Sequence, residues 1–393
     1  MSITKKWGRI AFALMWVAVL ASGCVGGGAV STPGWTALAA DSEMVVGVLP
    51  AGLVVALDPN ANGAELWSYP IASQSGSTSP FSCGATQTSG DAKPFEAVYG
   101  QPVLTDDHVI FGSYDKSVHA LARDAAVPAS SRVAWSFATD GAVLGGLTLD
   151  GGIVYFGSTD TNVYALNAAD GSTVWSAPFK TGDAIWSAPA VDESRVYIGS
   201  MDRHVYALDR ASGAEVWNAE VGGAVAASVT VADDMVFVAS LDRQLYALRA
   251  SDGSVAWKSD DLGAWLMSQP SVRDGYVYVA TLKGDVYALG VQSGESRWSA
   301  IALDSVVRAG LTWTGADDES RLVAVTEAGR FVGIDVQNGT QTDLYTAQGS
   351  MLADTSVVAD AIYAGTVTGR VMAVSVSDAS GVLAWVYPAA ESK

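Results

Sequence analysis

Val205-Tyr206-Ala207-Leu208-Asp209, followed by Gly213 and Trp217, is the stretch on which the fold turns. Its aliphatic-aromatic-Ala-Leu core recurs as Val163-Tyr164-Ala165-Leu166, Leu245-Tyr246-Ala247-Leu248 and Val286-Tyr287-Ala288-Leu289. Weaker copies read Val54-Val55-Ala56-Leu57, Val118-His119-Ala120-Leu121, Phe331-Val332-Gly333-Ile334 and Val371-Met372-Ala373-Val374. The last residues of these eight cores are spaced 64, 45, 42, 40, 41, 45 and 40 apart. The first interval is long because of a Ser/Thr/Gly-rich insertion at about 70–96, which breaks the period without disturbing the pattern on either side.

Within each period, short β-branched and aromatic runs alternate with Gly, Asp and Ser turn signals, which predicts four strands. In the fourth unit these are residues 185–191, 195–199, 204–208 and 215–218. Four strands per ~40 residues suit a propeller blade, whereas solenoid coils are shorter. One blade cannot cover both of its own faces, so eight must pack into a ring. The expected architecture is all-β, an eight-bladed β-propeller with four antiparallel strands per blade, spanning 35–393.

A Gly and, four residues later, a Trp follow most cores: Gly63 and Trp67, Gly171 and Trp175, Gly213 and Trp217, Gly253 and Trp257, Gly294 and Trp298, Gly381 and Trp385. Trp135 stands without the Gly, and Asp343 takes the Trp place in the seventh unit. A Trp repeated on the outermost strand can bury a flat surface against the next blade and give its indole N–H to a carbonyl there. The seven are therefore assigned to docking, not to ligand stacking.

These residues resemble the tryptophan-docking motif of the quinoprotein, or PQQ-like repeat, β-propellers; the Gly-His and Trp-Asp marks of WD40 blades are absent. Two branches of that family differ in what they imply. The dehydrogenases hold pyrroloquinoline quinone with Ca2+, commonly have a disulfide between adjacent cysteines, and are longer chains. The compact BamB-like envelope lipoproteins carry a lipidated cysteine and are of about this length. With two cysteines far apart, Cys24 and Cys83, and one sizeable insertion, this chain resembles the second branch. That resemblance implies a non-catalytic scaffold for an envelope protein partner, with outer-membrane protein assembly as the process it suggests. A quinone- or other ligand-binding propeller is the alternative, and only under it is PQQ with Ca2+ expected as cofactor.

The N-terminus agrees with export. Lys5, Lys6 and Arg9 precede an apolar run at 10–20, then small residues and Cys24. The run is shorter than the roughly 20 residues of a membrane span, so a signal peptide at 1–23 is preferred over a permanent transmembrane helix. Leu20-Ala21-Ser22-Gly23-Cys24 resembles a lipobox with its Leu one place early, which implies lipidation of Cys24; an ordinary cleaved signal is the other reading. Residues 24–34 would then form a tether. Val25 implies sorting to the outer membrane, facing the periplasm, in a cell with two membranes, and otherwise the outer face of the cell membrane. Loss of Lys5, Lys6 and Arg9 takes the formal charge from −19 to about −22, a surface that repels nucleic acid.

No catalytic set emerges. His108, His119 and His204 are scattered over different units without metal-ligand spacing. Asp115, Asp160, Asp202 and Asp242 recur at one register of the turn between the second and third strands, where Asp bonds its own backbone, and sit in different units, too far apart to share an ion. Asp106-Asp107, Asp233-Asp234 and Asp317-Asp318 are read as turns in the same way. Cys83, among Ser and Gly, has no partner if Cys24 is lipidated.

A site is sought where uniformity fails. The register of Ser187 in the innermost strands holds Thr36, Gly100, Gly145, Ser187, Ala227, Ser268, Ala309 and Ala353, all small, as crowding near the axis requires. The preceding register holds Trp35, Tyr99, Leu144, Trp186, Ala226, Met267, Arg308 and Leu352. This mixed ring either fills gaps between blades or forms a partner or ligand face of Trp35, Tyr99, Trp186 and Met267, with Arg308 as a cation able to hold a carboxylate.

Overall fold

A computed structural model describes residues 35–50, 52–70, 94–315, 321–377 and 380–388. All of them fall in one compact unit. The signal, Cys24, the tether, Cys83, most of the 70–96 insertion and Asp317-Asp318 lie outside the described residues.

The described residues form eight four-stranded antiparallel sheets, each built from consecutive strands, lettered A to D from the axis outward. In the fourth blade A to D are Ala190–Val191, Arg195–Gly199, His204–Asp209 and Glu215–Glu220. The strand B bounds agree with the sequence pattern. Strand A is far shorter than the apolar run 185–191 predicts, and the reason is that 185–189 joins no ladder but makes single bonds, to strand B of its own blade and to the next blade. Ser187 Oγ donates to the Gly199 carbonyl at 2.8 Å, and the Ala188 N–H donates to Ser228 Oγ of the fifth blade at 3.0 Å.

Strands B and C form the core layer. Tyr155, Tyr197, Phe237 and Tyr278 in B and Leu166, Leu208 and Leu248 in C have no exposed surface. Each lies in a cluster drawn from two adjacent blades, such as Tyr197, Val205 and Trp217 with Val236, Val238 and Leu248. Burial at these interfaces is the main stabilising term, at ~25 cal/mol per Å² of apolar area.

The docking tryptophans reach across every interface but one. Indole N–H groups donate from Trp67 to Arg123 O, Trp135 to Ala168 O, Trp175 to Arg210 O, Trp217 to Ala250 O, Trp257 to Val291 O and Trp298 to Val336 O, at 2.7–3.2 Å. Each of these rings except that of Trp67 lies on the turn glycine of the following blade, not on the glycine four residues before it. A Cβ on Gly213 would sit 2.5 Å from Trp175 Cδ2, and Gly171, Gly253, Gly294 and Gly339 meet Trp135, Trp217, Trp257 and Trp298 in the same way. Gly213 also has φ +74°, a conformation open to glycine at no steric cost. Trp175 and Trp298 precede short D strands, Phe179–Lys180 and Ile301–Ala302, so the motif does not depend on strand geometry.

Both departures from the repeat have packing reasons. Where the second blade lacks the turn glycine, the Arg132 guanidinium, 2% exposed, stacks 4.3 Å from the Trp67 ring and donates to Ala122 O and Asp124 O. In the seventh blade the bulge in the C–D pairing moves by two residues, to Phe331/Val332. That turns Leu344 and Tyr345 toward the eighth blade, with Tyr345 Cβ 3.2 Å from a Cβ placed on Gly381. Asp343 points outward and pairs with Arg330 at 2.6 Å, so the substitution is structural and leaves one interface without an indole.

The ring closes between the eighth and first blades without sharing a strand. Trp385 lies on Gly63, Thr36 Oγ1 donates to Thr366 O at 2.7 Å, and Tyr387 Oη donates to Glu65 Oε2 at 2.6 Å.

Candidate functional site

The inner strands alternate. In the fourth blade Ile185, Ser187 and Pro189 are buried while Trp186, Ala188 and Ala190 are partly open, the period-2 signature of a strand with one face on a channel. The small residues of the Ser187 register therefore point into the blade contacts. A Cβ on Gly100 would lie 2.1 Å from Gly145 O, and one on Gly145 2.6 Å from Ser187 O, so the backbones there nearly touch. The Trp186 register opens toward the axis, at the end of the ring that carries the D–A segments and B–C turns.

A repeated hydrogen bond holds that end. In seven blades the first B–C turn residue donates its N–H to the D–A segment, as in Tyr114 to Ala97 O, Met201 to Ala184 O and Leu282 to Trp265 O, at 2.7–3.0 Å. A wholly buried Ser or Thr precedes each of these turn residues, from Ser113 and Ser158 to Thr366. In the second to fifth blades its hydroxyl accepts the N–H two residues on. The B–C turns of the rim are thereby tied to the incoming inner segments.

Its side chains are not uniform. Trp35 and Tyr99 make an edge-to-face pair, centroids 4.8 Å apart, with Trp35 Nε1 donating to Tyr99 O at 3.0 Å; Tyr114 packs on Tyr99 at 6.5 Å. Trp186, Met267 and Leu352 are partly open on the same rim. Tyr114 and Trp265 are 44% and 45% exposed, more open than any other aromatic among the described residues. Sequence reading missed both. For Tyr114 the signal lay in the Ser/Thr column, since the residue after it, where a turn favours a polar side chain, is Tyr114, Met201, Leu241, Leu282 and Val367 in five of the seven blades, against Thr159 and Glu327 in the other two. Arg308 is not a free cation, because Glu327 in the adjacent B–C turn sits 3.5 Å from its Nε.

The recurrent turn aspartates have a structural role beyond their own backbone. Asp202 Oδ1 accepts the His204 N–H, and Oδ2 accepts both Tyr206 Oη at 2.7 Å and the Gly182 N–H of the incoming segment. Asp160 with Tyr164 and Asp242 with Tyr246 repeat the contact. Burial and the neighbouring carboxylate hold these tyrosines neutral; Tyr246 is pushed up to about 12. In the second blade His119 stands in the tyrosine's place, between Asp115 at 2.9 Å and Ser136.

Among the described residues no group of three or more His, Cys, Asp or Glu could hold a metal ion.

A ring of eight four-stranded blades locked by tryptophans on turn glycines defines the tryptophan-docked, PQQ-like class of β-propeller. Within that class the chain belongs to the family described as outer membrane protein assembly factor BamB, whose model matches residues 14–177 and 159–387. No curated protein matches the chain. Among solved structures, the computationally designed protein Ika8 superimposes with a TM-score of 0.70 at 16% identity, covering 88% of this chain and 97% of its own. BamB from Moraxella catarrhalis does so with a TM-score of 0.66 at 18% identity, covering 86% and 95%. At such identities these two likenesses concern the fold.

Proposed function

We propose that this chain is a non-catalytic, lipid-anchored scaffold of the cell envelope that grips a protein partner with the D–A and B–C end of its ring. The observation that carries this reading is the aromatic rim, in which Trp35 and Tyr99 are fixed by their mutual contacts while Tyr114 and Trp265 stand exposed. Exposed aromatics on rigid backbone are the anchors protein interfaces use most. The family's description as an assembly factor for outer membrane proteins supports a role in that process. Anchoring at Cys24, export with removal of 1–23 and a tether at 24–34 belong to the same proposal, and the intact mass of the native protein tests them.

The rim is tested by placing a photo-crosslinking residue at Tyr114, and at Glu193 on the opposite end as control, in native envelope membranes. A protein adduct from the Tyr114 site and none from Glu193 is expected. No adduct at Tyr114, or equal adducts at both, would overturn the assignment. The quinone alternative is tested by reconstitution with PQQ and Ca2+, and a bound chromophore with alcohol or sugar oxidation would establish it instead.

A further inference from the structure

One layer deeper than the rim, the channel-facing register reads Ala37, Gln101, Gly146, Ala188, Ser228, Gln269, Gly310 and Asp354. Asp354 is the single ionisable group among them. Its side chain is open to the channel, and loss of hydration between the walls of the ring pushes its carboxyl above the usual carboxylate range. Oδ1 accepts the Gly310 N–H at 2.7 Å; Oδ2 has no hydrogen-bond or ion-pair partner among the described residues. The nearest cation up the same face, Arg308, is engaged by Glu327.

Two carboxamides flank the carboxylate across small residues. On one side lies Gly310, whose added Cβ would be 3.6 Å from Asp354 Oδ1 and 3.8 Å from Gln269 Cβ. On the other, Gln101 reaches past Ala37 to donate Nε2 to Ser356 Oγ at 3.0 Å. Gln269 Nε2 is likewise directed to Thr230 Oγ1, at 3.4 Å. Both amides thus direct their NH2 groups to neighbouring hydroxyls, leaving their carbonyl oxygens without a hydrogen-bond partner among the described residues. A cavity of about 290 Å³ opens on the far side of Gly310 from Asp354, lined by Thr230, Gln269, Ser271 and Gly310 together with Pro270, Val272 and Leu311.

We propose that this layer is a binding site for one alkylammonium group, whose nitrogen is held by Asp354 and the Gln269 side-chain carbonyl and whose carbon chain lies along Pro270 and Leu311. Three features decide the ligand class. A channel carboxylate with one oxygen unpartnered and no counterion offers a cation a ready acceptor. One carboxylate with neutral carbonyls balances a single positive charge but falls short of a calcium shell. The apolar wall favours an organic cation over a bare alkali ion, and the formal charge of −19 concentrates cations at the mouth. The chemistry fits a free amine or a lysine side chain of a partner.

Calorimetric titration of the purified mature protein tests this with n-butylammonium chloride, n-butanol, CaCl2 and KCl. One-site binding of n-butylammonium and none of n-butanol is expected. Asp354→Asn retains the oxygen that accepts from Gly310 and should weaken n-butylammonium binding at least about tenfold, while Glu193→Gln, in an A–B turn at the far end, binds as the parent does. A thermal melt of each variant confirms folding. A parallel titration with N-acetyl-Gly-Lys-Gly-amide separates the sources: binding of both probes points to a partner's lysine, and of n-butylammonium alone to a free amine. Absence of n-butylammonium binding, equal binding by Asp354→Asn, equal binding of n-butanol, or tighter Asp354-dependent binding of Ca2+ or K+ would each overturn the proposal.

Discussion

Gly213 and Trp175 belong to different blades, and a double-mutant cycle on them measures the docking contact directly. Trp175 is 3% exposed and is the donor to Arg210 O at 2.9 Å. Truncation to Ala should cost about 3–5 kcal/mol, as for other buried aromatics. Gly213→Ala places a Cβ 2.5 Å from Trp175 Cδ2 at φ +74°. The backbone share of that change is about 1 kcal/mol and the overpacking share about 1–3 kcal/mol. In Trp175→Ala the overpacking vanishes and only the backbone share remains, so the double variant should be about 1–3 kcal/mol more stable than the sum of the singles implies. Urea unfolding followed by circular dichroism, compared at equal m, reads the difference. Gly171 with Trp175, four residues apart in one blade, is the control, because Gly171 carries Trp135 instead. Additivity of Gly213 with Trp175 to within about 0.5 kcal/mol, or stronger coupling in the control pair, would refute docking in trans.

Asp343→Ala removes a surface ion pair with Arg330 and should cost no more than about 1 kcal/mol in urea, well below any docking Trp→Ala. Tyr197 is pushed up to about 12, first by burial and then by its hydrogen bond to Asp192. Its neutral form is favoured in the fold, so that stabilisation is complete below the ordinary tyrosine range near pH 10 and is lost as pH rises toward 12; Tyr197→Phe should flatten the alkaline fall in melting temperature over that window. The raised carboxyl of Asp354 acts with the opposite sense. Its penalty is full at neutral pH and gone below the ordinary carboxylate range, so Asp354→Asn should melt higher than the parent at pH 7, with the gap closing as the pH is lowered through that range.

Blade number and strand order were legible because each period is a local event: the Val205-Tyr206-Ala207-Leu208 core sets strand C, and Arg195–Gly199 sets strand B by the same alternation. The 185–189 segment was not, since an apolar run does not say whether its backbone bonds its own sheet or the next blade. The Gly–Trp spacing was visible, but not that the ring rests on a glycine about 40 residues later. Asp343 looked like a lost staple and Arg132 like nothing at all; only the shifted bulge and the stacked guanidinium explain them. For the site, the mixed register of Trp35, Tyr99, Trp186, Met267 and Arg308 could be read from the alignment of repeats. The ion pair that engages Arg308, the exposure of Tyr114 and Trp265, and the carboxylate at Asp354 depend on which turns and inner segments meet around one axis.

The closure between Tyr387 and Glu65 bears on how such a ring can change over generations. In a propeller whose last sheet borrows a strand from the first, any gain or loss of a unit must preserve that borrowed strand. Here every sheet is whole before the circle meets. An in-frame duplication or deletion of one ~40-residue unit would leave each remaining sheet intact and alter only the angle between neighbours. The join at Trp385 and Gly63 uses the same indole-on-glycine contact as the interior interfaces. A chain of this type is therefore free to change its circumference without inventing a new way to close it.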